Sequence, residues 1–162
     1  MPTQPKAITG RAVRRLLVAT MAVLAAVSLP AQQKPSFSGR WVVVSPEKSA
    51  GQESIVTHDA TSLAVERVPA SRGRKQVYAI DGLERRTTLP LQGGEVVMLT
   101  RAAWDGDRVV ITTHLAYPNG MKTQSKEVWS IDANGRLMID YSESGPRGQP
   151  GPSVTLIHTR KS

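Results

Sequence analysis

From residue 39 to the C-terminus, apolar and polar side chains alternate in ten runs of five to nine residues, each closed by turn-forming residues. The first run, Gly39–Val44 (GRWVVV), puts Trp41 and Val43 on one face and Val42 and Val44 on the other. The others cover Glu53–Thr57, Ser62–Val68, Gln76–Ile80, Glu84–Leu89, Val96–Trp104, Arg108–Ala116, Thr123–Ile131, Leu137–Ser142 and Val154–Thr159. A period of two over such lengths predicts β-strands with one buried face. No run after residue 31 sustains a 3.6-residue period, so no long helix is predicted.

The strongest local signal is Arg101–Leu115 (RAAWDGDRVVITTHL), read as a hairpin folded at Asp105-Gly106. Asp-Gly between alternating apolar residues suits a type I′ turn, which needs positive φ at both central positions. Asp81-Gly82, Asn119-Gly120 and Asp132–Gly135 read as turns of the same kind, and glycines 82, 94, 106, 120 and 135 recur every 12 to 15 residues. That rhythm predicts an all-β, antiparallel up-and-down meander of about 8–10 strands, closed or nearly closed into a barrel to hide its edges.

A two-residue turn at Asp105-Gly106 sets the faces. Val109, Ile111, Thr113 and Leu115 then share a side with Val96, Met98, Thr100, Ala102 and Trp104, the more apolar side and the one expected inside. In the next hairpin Trp129 and Ile131 join Leu137, Ile139 and Tyr141 on that face, and the same alternation points Glu127 and Ser125 inward. An inward carboxylate is costly unless it is paired. Glu127 is therefore either near a wet or salt-bridged barrel end, or a polar contact for a bound ligand.

Residues 1–31 follow a different pattern. Lys6, Arg11, Arg14 and Arg15 precede the uncharged stretch Leu16–Leu29. The stretch is shorter than the ~20 residues a spanning helix needs and reads as the core of a secretory signal. Cleavage after Ser28 or after Ala31 would release the mature chain, and an uncleaved anchor is the alternative. The expected organisation is a signal peptide over 1–31, a lead-in over 32–37 and one barrel domain over 38–162. The expected location is exported, periplasmic or extracellular, with no stable membrane span after cleavage.

The net charge of +8 changes little, because four of the 21 basic residues and none of the 13 acidic ones lie in residues 1–31, leaving +4 for the rest. That balance suits a mixed surface rather than a phosphate-tracking stripe, and no nucleic-acid partner is expected. The absence of cysteine excludes disulfides, thiolate catalysis and thiolate-bound zinc. His58, His114 and His158 lie on or beside three separate strands without ligand spacing, so no metal and no cofactor is expected. No serine sits in a nucleophile elbow and no phosphate loop precedes a helix, so no catalytic constellation is found. Asp105 and Asp107 lie two apart at a turn with the spacing for a weak calcium site, but the turn itself explains Asp105. Arg72-Gly73-Arg74-Lys75 with Arg85-Arg86 forms either a solvated basic face or a patch for an acidic envelope polymer.

Several segments resemble those of bacterial secreted lipocalin-like proteins, calycin-type β-barrels. They are Phe37-Ser38-Gly39-Arg40-Trp41 with Ser45–Ser49, the hairpin Trp104–Ile111, Val128–Leu137, and the terminal His158-Thr159-Arg160-Lys161. Gly39-x-Trp41 matches the pattern on the first lipocalin strand. The resemblance implies that Trp41 closes the barrel base with Arg160 packed over it, a cation–π contact worth ~0.5–2 kcal/mol.

Two readings of function remain. In the first, the exported barrel is non-enzymatic and binds a small apolar or amphiphilic molecule among Val96, Met98, Thr100, Ile111, Thr113, Glu127, Trp129 and Tyr141. In the second, the barrel is filled and serves as a structural or interaction module, meeting an envelope protein or acidic polymer. Interior volume separates them.

Overall fold

The computed structural model describes residues 34–162, so the signal peptide expected over residues 1–31 lies outside the described residues. The chain from Gly39 onward forms ten strands: β1 (Gly39–Ser45), β2 (Glu53–His58), β3 (Ser62–Val68), β4 (Gln76–Ala79), β5 (Glu84–Leu91), β6 (Gly94–Asp105), β7 (Arg108–Ala116), β8 (Lys122–Ile131), β9 (Leu137–Ser144) and β10 (Pro150–Arg160). Two short 3-10 turns, Glu47–Ser49 and Ala70–Arg72, are the helical elements among the described residues. The fold is all-β, a single antiparallel meander curled into a half-barrel.

The strand order, β4-β3-β2-β1-β10-β9-β8-β7-β6-β5, places the first and last strands side by side. Trp41 pairs with Arg160, and the Lys161 N–H donates to Arg40 O at 2.8 Å. Glu53 ties this join from β2, accepting from Arg40 Nε at 2.9 Å and from the Lys161 ammonium. The sheet opens instead between β4 and β5, which are consecutive in sequence but stand at opposite edges.

Asp81-Gly82 is therefore not the tight hairpin its composition predicted. The Gly82 N–H donates to Ala102 O of β6 at 2.9 Å, and the Asp81 carboxylate accepts from the Leu83 N–H and from Arg85. Hydrogen-bonding groups that would have closed a hairpin are spent on a corner that carries the chain from one edge to the other.

The central hairpin is shifted by one residue. Asp105 pairs with Arg108, so Gly106 and Asp107 form the turn. Gly106 has φ of 65° and no non-glycine among the described residues has positive φ, the pattern of a type II′ turn rather than the expected I′. Both strands move by one position in opposite senses, so each partner changes by two residues and the faces stay as read. Ala102, Val109 and Ile111 are buried accordingly, while Arg101 and His114 are exposed.

Strand lengths differ between the two halves of the sheet. β1–β4 have four to seven residues, whereas β5–β10 have eight to twelve. The two halves face each other over the lower barrel, where Phe37, Trp41, Val56, Leu63, Ala102, Val109, Ile111, Trp129, Leu137 and Ile139 pack into the core. Phe37, read from sequence as lead-in, is fully buried and plugs the base. Its carbonyl accepts from Trp41 Nε1 at 2.8 Å, and its N–H donates to His58 Nδ1 at 3.3 Å. Its ring lies 5.3 Å from that of His58 and 6.0 Å from that of Trp104. The Arg160 guanidinium carbon stands 4.9 Å from the Trp41 ring centroid. Gly39 lies beside both side chains, and its φ of 149° is a backbone conformation that other residues rarely adopt.

Candidate functional site

Above the packed base the interior holds a cavity of about 370 Å³, within the range of small-molecule sites. Its apolar wall is Val43, Val65, Trp129, Ile139, Val154 and Leu156. Its polar groups converge from both halves of the sheet: Ser49 and Gln52 before β2, Glu53 and Ser54 on β2, Arg67 on β3, Gln76 and Tyr78 on β4, Glu127 on β8, Tyr141 on β9 and His158 on β10.

Register explains the convergence. Ile111, Glu127, Tyr141 and Val154 are successive cross-strand partners over β7–β10, and Val109, Trp129, Ile139 and Leu156 form the next row below. On the other side, Trp41, Ser54 and Arg67 are cross-strand partners over β1–β3. Side chains directly opposite one another share a face, so the buried Trp41 carries Arg67 to the same inner side.

Glu127 is the chemically pointed group. Its Oε2 accepts from Trp129 Nε1 at 2.8 Å. Burial pushes its carboxyl above the ordinary carboxylate range, while the indole hydrogen bond and the Arg67 charge pull it back. Burial also raises Tyr78, with the Glu127 charge adding to it and Arg67 opposing. Tyr141 is raised chiefly by burial and then by the neighbouring Glu143, to whose carboxylate its hydroxyl donates at 3.2 Å. His158 is 5% exposed, and burial holds its imidazole below the usual value. With Glu53 taken up by Arg40 and Lys161, the site offers the Glu127 carboxylate, the Arg67 guanidinium and two phenols over an apolar floor. That arrangement can orient a small molecule by its polar groups while burying its apolar part.

Of the residues expected to contact a ligand, Glu127, Trp129 and Tyr141 line this cavity. Ile111 is buried in the core beside Glu127, and Val96 is buried further along β6. Met98, Thr100 and Thr113 are half-buried on the inner face of β6 and β7, outside the cavity lining. The long strands extend there past the short ones. Arg67 and Tyr78 were missed from sequence, although the alternation Leu63, Val65, Arg67 already put the arginine in line with a core residue. The three histidines take separate places: His58 in the base, His114 exposed on β7 and His158 on the cavity wall. Among the described residues no cluster of three or more His, Asp or Glu side chains is placed to hold a metal ion.

No protein-family model and no curated protein matches this chain.

Proposed function

We propose that the protein is an exported, lipocalin-like carrier whose half-barrel holds a small amphiphilic molecule. The observation that carries this reading is the cavity of about 370 Å³ with a half-buried carboxylate, Glu127, lining it and held above the ordinary carboxylate range by desolvation. Burying an ionisable group costs stability unless partners offset the loss of water. A barrel serving only as packing would be better stabilised by an aliphatic residue at that position. The sequence features read as a secretory signal, and the lipocalin-like motifs at both ends of the domain, support the same reading.

A second reading draws on the opposite edges. Val77 on β4 and Leu83, Leu89 and Leu91 on or beside β5 are between 42% and 64% exposed, and β5 pairs only with β6. These features favour an interaction module that meets a partner at the open seam.

Thermal-shift measurements of the purified protein against single-chain amphiphiles separate the two. The carrier reading expects a saturable rise in Tm of several degrees with at least one class, as binding to the folded state alone requires. If no class moves Tm, the interaction-module reading replaces it.

A further inference from the structure

Glu127 and Arg67 bring opposite charges to the walls of one cavity from strands in different halves of the sheet, β8 and β3. They do not close on each other. The ion pairs within 4.0 Å among the described residues join Arg40 and Lys161 to Glu53, Arg85 to Asp81, Arg108 to Asp105 and Arg136 to Asp132. Arg67 is exposed overall and stands at the rim, while Glu127 sits deeper against Trp129. The stem of Arg67 runs under Gly73, where a Cβ would lie 3.8 Å from its Cδ.

A ligand head of one sign would answer one of these charges and face repulsion from the other. Discrimination of this kind rests as much on the unfavourable pairing as on the favourable one. A head carrying both signs on neighbouring atoms satisfies both walls, and the floor below leaves room for an apolar chain.

We propose that the cavity recognises a compact zwitterion with an apolar tail, of the α-amino-acid type. Its ammonium meets Glu127, its carboxylate points to Arg67 at the rim, and its tail lies on Val65, Trp129, Ile139 and Leu156. This inference rests on the carrier reading and names the chemistry of the cargo.

The test is calorimetric titration of the purified protein with four compounds sharing one tail: 2-aminodecanoic acid, decanoic acid, nonylamine and nonanol. Alanine, which has the head without the tail, is the fifth. The expected result is that 2-aminodecanoic acid binds at least tenfold more tightly than each of the others. Glu127→Gln should then abolish its advantage over decanoic acid, and Arg67→Gln its advantage over nonylamine. Circular dichroism of each variant establishes that it is folded, and the ligand series on the unmodified protein decides the matter without them. If all four tailed compounds bind alike, the zwitterion proposal is overturned and the carrier reading stands. If alanine binds as tightly as 2-aminodecanoic acid, the tail assignment is overturned. If none of the five binds, the zwitterion proposal fails, and the amphiphile thermal-shift series decides separately whether the carrier reading fails with it.

Discussion

Glu127 and Phe37 show how single positions divide the work of the interior. Phe37 is fully buried between His58, Trp104 and Trp129. Truncating it leaves a hole under the base, and Phe37→Ala should cost about 3–5 kcal/mol in denaturant unfolding. Glu127 acts in the other direction. Its folded carboxyl titrates above the ordinary value of 4.5, so the folded state binds the proton more tightly than the unfolded chain. Stability from this group is fully present below 4.5 and is lost as pH rises through the raised value. Glu127→Gln keeps an acceptor for the Trp129 indole and removes the desolvated charge. The variant should therefore melt above the unmodified protein at pH 8 and level with it at pH 4, as Tm measured across that range would show. A constant difference at every pH would remove the desolvation argument.

At the scale of elements, the strands were legible because alternation is a local property that survives burial. The faces of the central hairpin were legible too, since moving its turn from Asp105-Gly106 to Gly106-Asp107 changes partners by two and leaves parity intact. Strand exposure could not be read the same way at the seam. Asp81-Gly82 has the composition of a hairpin, but the pairing of β1 with β10 joins the ends of the meander and leaves β4 and β5 as the free edges. Gly82 serves that corner with φ of 76° and its N–H on Ala102 O. A Cβ there would meet Ala103 Cβ at an ordinary 3.8 Å, so the cost of Gly82→Ala comes from the backbone. Unfolding experiments should find a loss of roughly 1–2 kcal/mol, the penalty for a left-handed non-glycine residue. A neutral result would mean the corner relaxes without strain.

For the molecule as a whole, the site divides into a half that sequence reveals and a half that folding creates. Glu127, Trp129 and Tyr141 follow from the register of one local hairpin, β8 with β9. Arg67 and Tyr78 reach the same cavity only because β1 meets β10 and brings β2–β4 around to face them. No local pattern encodes that closure. The interior is filled at the base, where Phe37, Trp41 and Leu63 pack, and hollow above Trp129, between side chains of both halves. Occupancy of that hollow tests the account most directly. Native mass spectrometry of the protein purified from its source should show a bound small molecule, and Val154→Trp, which fills the cavity wall from β10, should remove it while the protein stays folded. Identical spectra for the unmodified protein and the filled variant, each free of bound mass or each carrying the same mass, would contradict the carrier reading.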